Sequence, residues 1–324
     1  MQVCLIDNSN IINIVYSTFV KLLHDKNGPD YVIKEDDLPF FWHLYVNKIK
    51  DYLSSYKEII FCGEGHNSTK WRKEQYALYK ENRKDRAENP DYAFIIKCYK
   101  EVEDFLKFFH CKTIRVENCE ADDVIYKLSE YYTSQGEQVK IISSDKDLTQ
   151  ICGFFDGVSV FNPMSSINKK CVAITNSENY NKNIILEKAV VGDASDNIKG
   201  IPRCGAKTFE KMLADKAEWN KVMLKPENAE LYEKILSIVD LRKYPKEYQE
   251  NIIKVFEETP FNDFDSVSVE KFFLEKNLNQ CLKDWSSLSS DIQLMLSGNE
   301  SNETSAEEEI LAMLADWQNN ILGV

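Results

Sequence analysis

The chain has 324 residues, 43% of them hydrophobic and 29% charged, which is the composition of a soluble globular protein with one large domain or two smaller ones. No apolar run approaches a membrane span, and strand-like Val3 to Ile6 runs straight into Asp7, so neither a membrane anchor nor a signal peptide is expected. Nine scattered Cys without a Cys-x-x-Cys pair, and four scattered His, argue against a disulfide framework and a zinc site and fit a reducing cytoplasm, while the net charge of −13 argues against nucleic acid only in aggregate, because clustered acids can be offset by bound metal.

In chain order, Val3 to Ile6 reads as a strand ending at Asp7, followed by a helix from Ile11 to Leu23 capped by Ser9 or Asn10. Residues 25 to 37 are polar and read as a loop. Helical spacing returns from Phe40 to Leu53, and Glu58 to Cys62 is a second strand with Glu64 just past its end. The stretch from 70 to 86 is basic (Lys70, Arg72, Lys73, Lys80, Arg83, Lys84, Arg86) with Trp71, Tyr76 and Tyr79 interleaved. That pattern suits a phosphate backbone and stacked bases, and it suits equally a solvated helix whose aromatics turn to a core. A helix from Pro90 to Phe109 leads to a third strand, Lys112 to Val116.

Residues 118 to 147 carry the densest acidic pattern. Glu120, Asp122 and Asp123 open an apolar helix, and a fourth strand, Val139 to Ser143, ends in Asp145 and Asp147. Acids at a helix start are ordinary caps. Acids beyond the carboxyl ends of parallel strands stand where α/β folds build sites, and here four consecutive strands end in them. Facing carboxylates are costly unless cations neutralise them, and oxygen-only ligands suit Mg²⁺ or Mn²⁺. Val158 to Phe161 is a possible fifth strand. The alternation of short apolar strands and amphipathic helices predicts a mostly parallel twisted α/β sheet flanked by helices. A helix from Ile184 to Val191 runs into Gly192, Asp193 and Asp196, and the segment Gly200 to Thr208 enters a further helix at Phe209, a turn that suits phosphate or a plain helix–turn–helix joint. Residues 216 to 289 are helical in pattern. From 290 to 309 the chain is polar and acidic and reads as a linker, before the apolar stripe Ile310, Leu314, Trp317 and Ile321 of a terminal amphipathic helix.

Glu120-Ala121-Asp122-Asp123, Ser143-Ser144-Asp145-Lys146-Asp147, and Gly192-Asp193-Ala194-Ser195-Asp196-Asn197 with Gly200-Ile201-Pro202 resemble the metal-binding motifs of the 5′-nuclease superfamily, the flap endonucleases and 5′→3′ exonucleases, and within it the T-even-type phage ribonucleases H. Trp71-Arg72-Lys73, Tyr79 to Arg83 and Ile238 to Leu241 are similar too, so the resemblance spans about residues 1 to 289. It implies a PIN-like nuclease core over 1–185 with a basic helical arch at 66–90, a helical DNA-binding subdomain over 186–289 holding a helix–hairpin–helix motif, and a linker with terminal helix over 290–324. It assigns Asp7, Glu64, Glu120, Asp122, Asp123, Asp145, Asp147, Asp193 and Asp196 to two Mg²⁺ or Mn²⁺ ions, and Lys80 and Arg83 to the scissile phosphate. Arg72, Lys73, Tyr79, Lys84, Gly200, Gly205, Lys207 and Thr208 fall to nucleic-acid binding. Glu64 stands where the family usually has Asp, and Arg203 replaces a usual Gly in the hairpin turn, which argues against a K⁺ ion there. The implied activity is metal-dependent hydrolysis at the 5′ end of RNA primers or DNA flaps, on branched or nicked duplex and RNA–DNA hybrid, in a bacterial or phage-infected cytoplasm. The implied protein is a monomer that works with a single-strand-binding protein or sliding clamp. The competing readings are a single-strand ribonuclease on a related sheet and a non-catalytic replication scaffold.

Overall fold

The computed structural model describes residues 2–83, 92–164 and 173–297. Among them, β1 (Gln2–Asp7), β2 (Glu58–Gly63), β3 (Lys112–Arg115), β4 (Gln138–Ile142) and β5 (Val158–Phe161) form a parallel sheet, and β6 (Ile174–Thr175) adds an antiparallel edge. The order is β3-β2-β1-β4-β5-β6. The chain thus steps outward from β1 to β3 on one side and resumes at β4 on the other. This reversal places a crevice at the carboxyl ends of β1 and β4, the position where open α/β sheets bind ligands. Both faces are covered, which is why the strands read as continuous apolar runs. Val3 and Leu5 point to one core and Cys4 and Ile6 to the other, all fully buried.

On the first face α1 (Asn8–Asn27), α2 (Leu38–Ser55) and α4 (Tyr92–Leu106) pack around Phe19, Trp42 and Phe105. α11 (Ser266–Glu275) and α12 (Asn279–Ser297) close this layer through Phe273 and Trp285. On the second face lie α3 (Lys70–Gln75), α5 (Ala121–Ser134), α9 (Pro226–Val239) and α10 (Lys246–Glu258). A smaller cluster around Val190, Ile201, Phe209 and Met212 joins α6 (Ile184–Val191), α7 (Ala206–Ala214) and α8 (Lys216–Met223). Between α6 and α7, β7 (Gly192–Asp193) pairs antiparallel with β8 (Ile198–Lys199). Among the described residues no helix is long and apolar enough to cross a membrane.

Three local expectations change. The first helix starts at Asn8, and its cap is Asp7, whose Oδ1 accepts the Asn10 N–H at 3.0 Å. Among its described residues the basic stretch is α-helical only over Lys70–Gln75. Lys80 then takes a left-handed φ of 52°, and its N–H donates to the Asp196 carbonyl at 2.9 Å, so tertiary docking overrides helix propensity. At the far end α12 runs on to Ser297, past the expected linker boundary at 290, because Ile292 and Leu296 reach the core beneath α2. The terminal helix expected after residue 309 and the Lys84 end of the arch lie outside the described residues.

Candidate metal and phosphate site

The site grows from the carboxyl edge of the sheet. Asp7 ends β1, and its Oδ2 accepts the Ser143 hydroxyl at 2.9 Å. The Ser143 oxygen in turn accepts the Asp145 N–H at 3.0 Å, and Asp145 Oδ1 accepts the Asp147 N–H at 2.9 Å. Asn10 fixes the same loop by accepting from both the N–H and the hydroxyl of Ser144. The loop after β4 is therefore locked to β1 by short polar links. On the other side of β1, Gly65 donates its N–H to the Cys119 carbonyl at 3.0 Å. A Cβ on Gly65 would lie 1.7 Å from the Val116 carbonyl oxygen, so only glycine lets the strand ends carrying Glu64 and Glu120 approach so closely.

From the helical side, Ser195 donates its N–H and hydroxyl to Asp193 Oδ1 and holds that carboxylate in place. One oxygen each from Asp147, Asp193 and Asp196 lies within 4.8 Å of the other two. Besides Arg72, which pairs with Glu120, three cations balance the carboxylates internally. Lys80 pairs with Glu120 and approaches Asp196, Arg83 pairs with Asp196 at 2.8 Å, and Lys188 bridges Asp147 and Asp193. Lys188 was not singled out in the sequence. Its only signal was being the one basic residue in the otherwise apolar or acidic run Ile184 to Val191.

Electrostatics separate these acids into two groups. Burial pushes the Asp7 carboxyl up to about 6. Burial, reinforced by the Glu120 charge, pushes Glu64 up to about 7, and burial with the Asp145 charge does the same to Asp147. Asp122 is raised by burial and by Asp145. Burial alone would raise Glu120 and Asp193 as well, but Lys80 with Arg72 holds Glu120 at about 2, and Lys188 with Ser195 holds Asp193 at about 2. A carboxyl raised in the folded state stabilises the fold fully below its unfolded value and loses that contribution as pH rises through the folded value. The metal-free protein should therefore lose melting temperature from about pH 4 to about pH 7 as Asp7, Glu64 and Asp147 ionise. Added Mg²⁺ should restore it, and by more at the alkaline end, where protons no longer compete. Melting curves in chelator and in Mg²⁺ across that range check this; a Mg²⁺ increment that is flat or shrinks as pH rises contradicts it.

A divalent ion fits these residues on two counts. The donor set is all oxygen, and Glu64 Oε2 is buried without a hydrogen-bond partner. One expected ligand drops out. Asp123 is fully buried and receives both terminal nitrogens of Arg72, at 2.8 and 2.5 Å, while its Oδ2 accepts the N–H of Glu120, the N-cap of α5, and closes the capping box there. Its valences are filled by structure. Two expected nucleic-acid contacts are corrected for the same reason. Arg72, 3% exposed, lies between Trp71 and Tyr79 with its charge spent on Asp123 and Glu120. Tyr79, 4% exposed, gives its hydroxyl to Glu120 at 2.9 Å. Arg72→Ala would strand the buried Asp123 carboxylate and leave Glu120 to Lys80 and Tyr79, and should cost about 3–5 kcal/mol in urea unfolding; a loss under 1 kcal/mol contradicts this role.

Gly200 also acts structurally, since a Cβ there would meet the Val191 carbonyl carbon at 2.3 Å. Gly205, Lys73 and Lys207 are exposed and Thr208 half-buried, so these can meet a ligand. Arg203 sits in the turn at φ 66°.

Comparison with known proteins follows the same outline. The family model described as "5'-3' exonuclease, N-terminal resolvase-like domain" matches residues 2–189. A 5'-3' exonuclease of Buchnera aphidicola is 34% identical over 136 residues, covering 40% of this chain and 45% of that protein, so the chain spans less than half of this relative. The Ribonuclease H of Enterobacteria phage T4 is 24% identical over 277 residues, covering 78% of this chain and 86% of the phage protein. Among solved structures, a bacteriophage T5 flap endonuclease in a pseudo-enzyme–product complex with DNA and metal ions superposes with a TM-score of 0.50 at 18% identity, covering 80% of this chain and 100% of that one.

Proposed function

Because the chain belongs to the 5'-3' exonuclease family, we propose that its acidic crevice hydrolyses phosphodiester bonds at the 5′ ends of DNA flaps or RNA primers on duplex, using Mg²⁺ or Mn²⁺. The observation that carries this reading is the gathering of Asp7, Glu64, Glu120, Asp122, Asp145 and Asp147 at one sheet edge, met by Asp193 and Asp196 from the segment between α6 and α7, with Lys80 and Arg83 against Asp196. A divalent ion held by these carboxylates would supply Lewis acidity toward a water and toward the charge on the phosphodiester and its leaving oxygen.

The chain's own residues do the rest. Ser143, Asn10 and Ser195 hold carboxylates in fixed orientations, so little reorganisation is needed on binding. Lys80 and Arg83 are donors at the crevice rim that can exchange a carboxylate for a phosphate oxygen. Lys73, Lys84, Gly205, Lys207 and Thr208 are proposed to meet the nucleic-acid backbone, with the α6–α7 segment as the duplex contact. No side-chain nucleophile is required. A K⁺ site at the hairpin turn is not proposed. A single-strand-binding protein or sliding clamp remains the proposed partner class for residues 298–324, with a cytoplasmic setting.

The test is a panel of 5′-labelled flap, nicked and RNA–DNA substrates in Mg²⁺ and in EDTA. Cleavage at 5′ ends in Mg²⁺ alone supports the reading; duplex binding without cleavage in either divalent metal overturns it in favour of a scaffold.

A further inference from the structure

We infer that Gln150 and Arg72 are positioning residues that set the cleavage register, by clamping the end of α9 to the two chain segments that carry the acidic site. This rests on the function proposed above.

Gln150 lies three residues beyond Asp147, in a tight helical turn from Asp147 to Gly153. It is 3% exposed. Its Nε2 donates to the Val239 carbonyl at 3.3 Å, and its Oε1 accepts the Leu241 N–H at 3.1 Å. One amide thus brackets the turn that ends α9. Arg72 reaches the same segment, its Nε donating to the Ile238 carbonyl at 3.1 Å. Its terminal nitrogens meanwhile hold Asp123 and Glu120 at the start of α5. These side chains line one small cavity together with Asp122, Asp147 and Asp196. The clamp and the acidic site therefore share one space.

α9 packs along α6 and touches α8, so it is the strut on which the α6–α7 segment rests. Nucleic acid gripped by that segment is placed relative to the carboxylates through this junction. Buried polar groups have only one satisfied arrangement, so the two side chains define a single spacing between grip and crevice. A spacing error comparable to the distance between neighbouring phosphates would change which bond is cut, whereas a softer error slows cutting at every bond.

The test maps cleavage positions at single-nucleotide resolution on a 5′-flap substrate. It uses wild type, Gln150→Leu, which removes both amide hydrogen bonds at similar volume, and Arg72→Lys, which keeps the buried charge but loses the bond to Ile238. Melting temperatures are measured alongside. The expected result is a rise of about tenfold, the scale of one buried hydrogen bond, in cutting at bonds neighbouring the principal site in both variants. Wild-type cleavage positions in either folded variant, with only the overall rate lowered, overturn the inference. A wild type that cuts nothing overturns the functional reading itself, and this inference with it.

Discussion

Asp145→Asn/Asp147→Asn is expected to lower single-turnover cleavage by on the order of 10³-fold while leaving duplex affinity unchanged or tighter. Both side chains keep their volume and shape, so packing around the loop after β4 should survive. What is lost is charge. Asp147 contributes one of three carboxylates that converge within 4.8 Å, and Asp145 orients it by accepting its N–H. Lys188 would keep Asp193 as a partner, so no buried cation is stranded. Removing negative charge also lessens repulsion of phosphate, which is why affinity should not fall. Rapid-quench turnover and fluorescence anisotropy separate the two quantities. Wild-type turnover by the double variant would refute the site assignment.

Lys80→Ala and Arg83→Ala should each cut the rate by about 10²–10³-fold with a much smaller loss of duplex affinity, because a donor aimed at developing charge acts mainly in the transition state. Their placement supports this split. Lys80 is held by its own backbone bond to Asp196, so its ammonium reaches the crevice from a fixed point. Removing it leaves Glu120 still paired with Arg72, so the fold should tolerate the change. Equal losses in affinity and rate would make the basic stretch a general docking patch.

The sheet and its acidic edge were legible in the sequence because both follow from local pattern. Short apolar strands set the edge, and an acid just past each strand end must sit on it. The direction of the basic stretch was not legible. Interleaved Trp71, Arg72 and Tyr79 fit a nucleic-acid surface and a packed core equally, and only the distant Asp123, Glu120 and Ile238 decide for the core. Lys188, Gln150 and Asn10 were missed for the same reason, since each matters through a partner far away in sequence or through a backbone group that carries no sequence signal. The cap at Asp7 was misplaced because one carboxylate serves at once as strand end, helix cap and site residue.

Whether these carboxylates share divalent cations is read from a Mn²⁺ titration followed by electron paramagnetic resonance. The titration is run above pH 7, where Asp147 is ionised. Saturable binding approaching two ions per chain is expected for the wild type, and clearly weaker binding for Asp147→Asn and Asp193→Asn. Isotherms that superimpose for all three proteins, or a wild type that binds no Mn²⁺ above background, would contradict it.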